Sequence, residues 1–425
     1  MKISFILPVY WPAIGGCELH THELVGRLCR RHDVRVITQI TSQADKPDNL
    51  WWGTLTRPVA GKERYWDDKA EVIRIRLETW EQKLLVPFVR FHHRAQEISM
   101  AVIRKVLQRK FLAHVQDSDL IHCVHNGASF YGHTALACAR SMGIPFVFTP
   151  LLQINQALRD VAPNQEDWSG QAAIAPGSIG SYLASGSYHD KFWLRTARAA
   201  DGLISMTRFE KEYLVAEGIS ASRIHEIGVG PLISSKHDAA SFRRSHGIGE
   251  EPLVLFLGRK NRAKGFEEVL AATARVWGKS PGTRFVFIGP REGNAAEVFR
   301  KYRDPRIVEL NEVDLDEKTS AIEACDILCM PSFFEALGGV FLEAWSFEKP
   351  VIAGDTAPLR ELTGNGCGGF LVSLDPSDIA EKIIRLLDDP ELRRRMGTWG
   401  RRKVESQYSW EAIASKIENV YGTLV

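Results

Sequence analysis

The sequence predicts an α/β protein with two doubly wound domains that face each other across a cleft. Two observations carry this prediction. Short apolar runs rich in β-branched and aromatic residues alternate with longer helical patterns, which is typical of βα units around a parallel sheet. These runs fall into two sets, and the polar, Gly- and Pro-bearing stretch GPLISSKHDAASFRRSHGIGEEP between them indicates a domain connection.

The first set of runs indicates buried strands at ISFILPVY, VRVITQI, DLIHCVH, PFVFTP and GLISM. The second set begins near Leu253 and indicates strands at LVLFLG, RFVFIG, IVELNEV, DILCMPS, PVIAGD and GFLVS. We therefore expect an N-terminal Rossmann-like domain over residues 1–232 and a C-terminal one over 233–407. In such sheets ligands bind beyond the carboxyl ends of the strands, so the residues after IHCVH, LVLFLG and DILCMPS are the first candidates for a site.

The composition is that of an ordinary globular protein, with 44% hydrophobic and 25% charged residues and a formal net charge of +2. A balance so close to neutral gives no general affinity for polyanions, so no nucleic-acid partner is expected. Seven cysteines without framework spacing indicate reduced thiols in the cytoplasm. The opening MKISFILPVYWP lacks the features of a secretory signal, and no run reaches about 18 apolar residues, so we expect no membrane span.

The segment between Glu81 and Val115 is a basic amphipathic stretch. Apolar residues are interleaved with its cations, which are Lys83, Arg90, Arg94, Arg104, Lys105, Arg109 and Lys110. A helix packed on its domain with a solvated basic face is the simpler interpretation of this pattern. The alternative is peripheral contact of residues 81–115 with an anionic membrane surface that carries a lipid-linked acceptor.

A second unusual segment runs from about Gln153 to Tyr188. It is rich in Gly, Ser, Pro and Asn, and its apolar residues show little periodicity. The segment is too long for a plain connection between two elements, so we expect a functional loop region or a partly mobile one.

The stretch PSFFEALGGVFLEAW, residues 331–345, follows the predicted strand DILCM. Its second half indicates a helix over about residues 337–347, opened by Gly338 and Gly339. The missing side chains of these glycines let a ligand approach the helix N-terminus closely. Free N–H groups and the positive end of the helix dipole make that N-terminus a candidate phosphate site.

Two glutamates flank this candidate phosphate site. Glu335 stands before the helix and Glu343 within it, about 12 Å apart along the axis if the helix is regular. Paired glycosidase carboxylates lie only about 5–9.5 Å apart. The two glutamates therefore suit opposite ends of one nucleotide-sugar, with the sugar at Glu335, the diphosphate at the helix and the ribose at Glu343.

Cations for a diphosphate follow the first strand of the same domain. LGRKNRAKGFEEVL supplies Arg259 and Lys264, which together could neutralise a leaving diphosphate. Each motif is weak alone, because helices carry glutamates at every spacing and GRKNRAK could be a solvated basic turn. Their joint occurrence at two strand ends of one domain predicts the nucleotide-sugar site.

Motifs for metals and other cofactors are weaker. His20 and His22 in ELHTHE lie about 200° apart on a helix and cannot hold one ion together. The pattern from Asp314 to Asp316 matches a metal-binding DxD motif, but it precedes a helical run, and Asp316 is expected to cap that helix. Because GxGxxG after a first strand and GxxxxGK[ST] are both absent, a nicotinamide enzyme and a P-loop nucleotidase are disfavoured. No metal site is expected.

These motifs resemble those of the retaining glycosyltransferases of the GT4 family, glycosyl transferases group 1, which have the GT-B fold. GRKNRAKG and PSFFEALGGVFLEAWSFEKPVIAG carry the resemblance most strongly. It extends over nearly the whole chain through PVYWPAIGGCELHTHELVGRL, RRHDVRVIT, GIPFVFTP and RIHEIGVGP. The closing YSWEAIASKIENVY is similar to the family's terminal helix, which implies that residues 408–425 cross back to the first domain.

The resemblance also implies roles for individual residues of the donor site. Arg259 and Lys264 would bind the donor diphosphate. Glu343 would bind the ribose and Glu335 the hydroxyls of the donor sugar. The remaining donor-binding positions implied in this domain are Gly338, Gly339 and Val340.

On the acceptor side, the resemblance implies that Gly15 and Gly16 form a loop facing the diphosphate and the acceptor. His125, the second histidine of IHCVH, would lie beside the reacting sugar and act in catalysis with Arg259, Lys264 and Glu335. Many relatives carry a histidine where this chain has Leu151, which leaves the acceptor contacts open.

The implied reaction moves a sugar from a nucleoside diphosphate sugar to a hydroxyl of a saccharide, lipid-linked or small-molecule acceptor. It would proceed by same-face displacement without a metal ion or cofactor. The expected setting is surface polysaccharide or glycoconjugate synthesis, in the cytoplasm or on the inner face of the cell membrane. A GT-B-like sugar-nucleotide epimerase or hydrolase, and a non-catalytic sugar-nucleotide-binding subunit, remain as alternatives.

Overall fold

The computed structural model describes residues 1–13, 15–42, 50–56, 62–92, 94–125, 128–151, 191–333, 335 and 337–425. It contains an eight-stranded and a six-stranded sheet, both flanked by helices, which confirms the predicted fold class. The segment from Gln153 to Tyr188, expected to be a functional loop region, lies outside the described residues. Within the part of the chain that is described, no helix is both long enough and apolar enough to cross a bilayer.

The eight-stranded sheet has the order β3-β4-β2-β1-β5-β6-β7-β8. Its strands are β1 (Lys2–Ile6), β2 (Asp33–Thr38), β3 (Arg64–Asp67), β4 (Ala70–Arg74), β5 (Leu120–Val124), β6 (Phe146–Thr149), β7 (Gly202–Ser205) and β8 (Ile224–Glu226). Every neighbouring pair is parallel except β3 with β4. The five predicted strands are confirmed, whereas β3, β4 and β8 are short edge or near-edge strands without a continuous apolar run.

Helices cover both faces of this sheet, as a doubly wound arrangement requires. They are α1 (Gly16–Leu28), α2 (Leu50–Thr56), α3 (Thr79–Arg90), α4 (Gln96–Val115), α5 (Ser129–Met142), α6 (Lys191–Ala199) and α7 (Arg208–Ala216). Successive side chains along a strand point to opposite faces of the sheet, so each strand contributes to two separate cores. Phe5 belongs to the core that contains Leu24 of α1, and its neighbour Ile6 belongs to the one that contains Phe111 of α4 and Tyr131 of α5.

The six-stranded sheet is entirely parallel, in the order β11-β10-β9-β12-β13-β14. The strands are β9 (Leu253–Leu257), β10 (Arg284–Ile288), β11 (Ile307–Leu310), β12 (Ile327–Met330), β13 (Val351–Gly354) and β14 (Gly369–Val372). The helices are α8 (Ala239–Ser245), α9 (Phe266–Trp277), α10 (Ala295–Lys301), α11 (Leu315–Ala324), α12 (Gly339–Ser346), α13 (Ala357–Thr363), α14 (Pro376–Asp388) and α15 (Pro390–Gln407). All six predicted strands of this half are confirmed.

The last helix, α16 (Trp410–Leu424), returns to the first sheet, as the resemblance implied. The hydroxyl of Tyr421 lies 2.6 Å from Nδ1 of His122 on β5. At its start, Trp410 packs against Gly230, where a side chain would collide with the indole ring, and Nε1 of Trp410 donates to the carbonyl of Pro231 at 2.9 Å. The two chain crossings between the halves therefore lie against each other.

A second contact shows how the halves face each other. The carboxylate of Glu361 on α13 accepts hydrogen bonds from the backbone N–H groups of Arg208 and Phe209, at 3.0 and 3.1 Å. Those N–H groups belong to the first turn of α7, whose dipole favours a negative charge there. Because α7 follows β7 and α13 follows β13, the carboxyl edges of the two sheets face the same cleft.

Strand order locates the binding crevices at these edges. In the first sheet the direction of winding reverses between β1 and β5, and in the second between β9 and β12. Ligands of doubly wound sheets bind at such switch points. The residues after β1 and β5 hold Gly15, Gly16 and His125, and those after β9 and β12 hold the remaining predicted site residues.

Two buried histidines make the stability of this fold sensitive to acid. Burial lowers the pKa of His20 to about 4, and burial together with the nearby His20 lowers the pKa of His122 to about 3. In the unfolded chain a histidine has a pKa near 6.5, so below that pH the unfolded state binds more protons. Their contribution to stability is present above pH 6.5 and is lost as the pH falls towards 4.

We predict that replacing His20 by Phe reduces the loss of stability at acidic pH. Phe keeps the ring contact with Trp410, whose centroid lies 5.4 Å from that of His20, but it takes up no proton on unfolding. The free energy of unfolding, measured by denaturant titration at pH values from 7.5 to 4.5, should fall less steeply in His20→Phe, by up to about 1.4 kcal/mol per pH unit. Equal slopes in the two proteins would contradict the prediction.

Candidate active site

Two loops at the switch point of the second sheet form one continuous surface. The backbone N–H of Phe333, after β12, donates to the carbonyl of Ala263, after β9, at 3.1 Å. The hydroxyl of Ser332 donates to the same carbonyl at 3.2 Å. The two predicted motifs, GRKNRAKG and PSFFEALGG, therefore lie side by side.

Lys264 and Glu335 form an ion pair between these loops. Their side chains are 20% and 12% exposed, so the pair is largely shielded from water but still reaches the surface of the crevice. Asn261 fixes the turn that carries Lys264, because its side-chain oxygen accepts from the backbone N–H of Lys264 at 3.2 Å. The structure thus brings together the cation and the carboxylate that the sequence predicted.

Arg259 is the second predicted cation, and it lies at the more open side of this surface. Its Nη1 is 3.2 Å from Oε1 of Glu292, and both side chains are roughly half exposed. Asn261 donates to the other oxygen of Glu292 at 2.7 Å. Sequence reasoning missed Glu292, although its place shortly after β10, the neighbour of β9, was an available signal.

Lys260, between these two cations in the sequence, points into the protein and not into the crevice. It is fully buried, and its Nζ donates to Oε1 of Glu309 and to the carbonyl of Leu310, both at 2.8 Å. Burial lowers its pKa against the attraction of Glu309. Lys260 therefore stabilises the edge of the sheet and is not placed to bind a ligand.

Helix α12 begins two residues later than the sequence indicated, at Gly339. Gly338 precedes it with φ +85°, a left-handed conformation that favours glycine. Among the described residues, no atom lies within 4 Å of the position that a Cβ of Gly339 would take. The first-turn N–H groups, including those of Gly339 and Val340, have no partner within the helix and can donate to a ligand.

This start of α12 corrects the spacing argument made from the sequence. The estimate of about 12 Å between Glu335 and Glu343 assumed a regular helix between them. Only the part from Gly339 onward is helical, and Glu335 lies in the preceding loop. The axial separation therefore does not follow from the helical rise.

Glu343 lies within α12 and is buried, with its side chain 5% exposed. Its Oε1 accepts from Nζ of Lys318 on α11 at 2.8 Å. The other oxygen, Oε2, has no hydrogen-bond partner among the described residues. Sequence reasoning missed Lys318, because nothing in DEKTSAIEACDIL distinguishes a lysine that turns inward from a solvated one.

The predicted cap of α11 was wrong by two residues. Asp314 is the cap, and its carboxylate accepts from the backbone N–H of Glu317 at 2.8 Å. Asp316 lies within the first turn and accepts from the hydroxyl of Ser234 at 2.5 Å. Both aspartates are thus engaged in the structure of the helix N-terminus.

The two histidines of α1 occupy different environments, as expected. His20 is buried against Trp410, and Nδ1 of His22 lies 2.7 Å from Oδ2 of Asp67. Across the described ranges, no group of three or more His, Cys, Asp or Glu residues is arranged to hold a metal ion.

The switch point of the first sheet brings together its own predicted residues. Gly15 precedes α1 in an extended conformation, and Gly16 begins the helix and is exposed. His125 directly follows β5 and is 2% exposed, with its ring centroid 6.0 Å from that of Phe148. The thiol of Cys17 donates weakly to the carbonyl of His125 at 3.9 Å, which ties the glycine loop to this histidine.

Leu151, where a histidine was expected from the resemblance, has a left-handed backbone with φ +47°. Such a conformation is uncommon for a residue with a branched side chain. The departure in sequence therefore coincides with an unusual backbone at the end of β6, on the same edge as His125.

Two family models match successive parts of the chain. Residues 15–230, just over half of the 425, match the glycosyl transferase 4-like domain. Residues 238–403 match glycosyl transferases group 1.

Relatives of known activity match part of the chain. The α-D-kanosaminyltransferase of Streptomyces kanamyceticus is 29% identical over 236 residues, which cover 53% of this chain and 60% of that protein. The GDP-mannose-dependent monoacylated α-(1-6)-phosphatidylinositol monomannoside mannosyltransferase of Corynebacterium glutamicum is 25% identical over 265 residues, 58% of this chain and 66% of that protein. The aligned stretches thus span about two thirds or less of these relatives.

The fold matches along the whole chain. The structure of sucrose-phosphate synthase from Thermosynechococcus elongatus gives a TM-score of 0.72 at 20% identity, covering 100% of this chain and 98% of that one. Likeness at this identity bears on the fold alone. With two family matches that together account for both halves, the chain belongs to the GT4-type glycosyltransferases, as its motifs predict, and its facing sheets form the GT-B fold.

Proposed function

We propose that the protein transfers a sugar from a nucleoside diphosphate sugar to a hydroxyl group of an acceptor, with retention of the anomeric configuration. The observation that carries the proposal is the grouping of Arg259, Lys264 and the N-terminus of α12 at the switch point of the second sheet. The names of the relatives add support, since one of them is GDP-mannose-dependent and both transfer a sugar.

Stabilisation of the departing diphosphate is the main chemical task of this site. Arg259 and Lys264 supply positive charge, and the first-turn N–H groups of α12 supply hydrogen bonds with the helix dipole behind them. These charges are held in place before the donor arrives, because Glu335 and Glu292 already pair with the two cations. On this proposal the reaction needs no metal ion.

Same-face displacement accounts for retention. The bond from the anomeric carbon to the phosphate oxygen breaks, and the bond to the acceptor oxygen forms on the same face of the sugar. The acceptor's proton moves to an oxygen of the departing phosphate. Glu335, bound to Lys264, suits the role of orienting the sugar hydroxyls, and His125 would lie beside the reacting sugar from the opposite domain.

A ligand screen and a product assay test the donor class. Thermal unfolding would be measured with UDP, GDP, ADP and their common sugar conjugates, since a ligand that binds only the folded state raises the unfolding temperature. We expect one nucleotide family to raise it in the wild type and not in Glu343→Ala. Sugar release that is equally fast with and without any acceptor would favour a hydrolase, and no shift with any nucleotide would contradict the proposal.

The ion pair of Lys264 and Glu335 gives a sharper test. We predict that Lys264→Ala and Glu335→Ala each lower kcat about a hundredfold or more, the scale of losing one preorganised charge contact. The matched control is Lys382→Ala, which removes an ion pair with Glu381 on α14, away from the crevice. Rates within a few-fold of the wild type in both site variants would contradict the assignment.

The acceptor side of the proposal includes peripheral contact with a membrane. Large apolar side chains are exposed on α3 and at its junction with α4: Trp80 is 58%, Phe91 51% and Ile98 62% exposed. Exposed cations, Lys83, Arg90 and Arg94, lie among them. This apolar–basic surface fits an anionic interface better than water, which supports a lipid-linked acceptor at the inner face of the cell membrane.

Sedimentation with vesicles checks the membrane contact. We predict binding to vesicles that contain phosphatidylglycerol, and weaker binding to pure phosphatidylcholine, because both the apolar and the basic parts contribute. The double variant Trp80→Ser, Phe91→Ser should reduce binding at least fivefold. Leu374→Ser, which removes an exposed apolar side chain from the other domain, serves as the control. Equal recovery with both lipids would contradict the contact.

A further inference from the structure

The ion pair formed by Glu343 and Lys318 is largely buried. The side chains are 5% and 18% exposed, and Nζ of Lys318 lies 2.8 Å from Oε1 of Glu343. The pair joins two different helices, α11 and α12. A buried carboxylate without a partner is strongly disfavoured, so Lys318 is the group that permits Glu343 to be buried.

Only one of the two carboxylate oxygens is used by this lysine. Oε2 of Glu343 is buried and has no hydrogen-bond partner in the described part of the chain. A buried acceptor that stays unused costs free energy, which a ligand hydroxyl can recover by donating to it. The lysine therefore fixes the carboxylate through one oxygen while the other remains available.

The support for Lys318 is itself rigid. Asp314 caps α11 in the turn before the lysine. On the next residue, the hydroxyl of Thr319 accepts from the backbone N–H of Ser234 at 3.0 Å. The ammonium group thus extends from a fixed helix turn towards Glu343.

We propose that Lys318 is a positioning residue which presents Glu343 to a ribose hydroxyl and so selects ribonucleotide over deoxyribonucleotide donors. This inference rests on the proposed function, because it takes the nucleoside to lie at Glu343. Lys318 acts through Glu343 and is distinct from the cations that face the diphosphate. If the pair only held α11 to α12, variants of Lys318 would change the affinity for ribonucleotides and deoxyribonucleotides equally.

The test compares UDP, GDP and ADP with their 2′-deoxy and 3′-deoxy forms by isothermal titration. In the wild type, the nucleotide that binds should lose about tenfold to a hundredfold in affinity when the recognised hydroxyl is absent, the scale of a hydrogen bond to a charged group. In Lys318→Met this ratio should fall below threefold, because the carboxylate is no longer held. Lys318→Arg, which restores a cation, should keep most of the ratio.

Two further variants complete the experiment. Lys382→Met removes a lysine of similar exposure, 22%, on α14 and should behave as the wild type. Lys318→Gln repeats the comparison with a neutral donor if Lys318→Met does not fold. With the sugar donor identified, KM should rise in Lys318→Met while kcat at saturating donor stays within about threefold.

The outcomes separate this inference from the function on which it rests. An unchanged ribose-to-deoxyribose ratio in Lys318→Met, or an equal loss of affinity for both forms that leaves the ratio intact, would overturn the positioning role alone. Failure of the wild type to bind any of the nucleotides would overturn the proposed function, and this inference with it.

Discussion

Opposite charges paired between neighbouring loops hold the crevice of the second domain together. Lys264 with Glu335 joins the loop after β9 to the loop after β12, and Arg259 with Glu292 joins it to the loop after β10. Without these carboxylates, the cations that follow β9 would repel one another and the adjacent helix N-terminus. The more exposed pair, Arg259 with Glu292, contributes little to stability, so on the proposed function a donor phosphate would replace its carboxylate at small cost.

Most of the fold was predictable because parallel sheets bury their strands on both faces. Each inner strand is then a continuous apolar run, such as LVLFL or LIHCV, and such runs are visible in a single sequence. The hairpin of β3 and β4 was not visible, because RYWD alternates between exposed and half-buried positions and carries no such run. The order of the strands, which locates the crevices, depends on long-range pairing that no local pattern encodes.

The candidate site likewise has residues that could be predicted from the sequence and residues that could not. Arg259, Lys264, Glu335 and Glu343 lie in two glycine-containing stretches that follow predicted strands, a local arrangement that the sequence displays. Their partners Glu292 and Lys318 come from other elements and lie in the site only because those elements pack there. The cap of α11 shows a finer limit, since Asp314 and Asp316 are both suitable residues and only the first helical residue, Leu315, decides between them.

The contact of Trp410 with Gly230 and Pro231 bears on how this protein can be recombined with its relatives. Because the chain enters and leaves the second domain at adjacent points, that domain is topologically an insertion into the first, and its two ends meet at one seam. A cassette spanning the second domain can be exchanged between relatives without lengthening either junction. The glycine on one side of the seam and the tryptophan on the other must come from the same parent, so α16 is inherited with the first domain although it follows the second domain in the sequence.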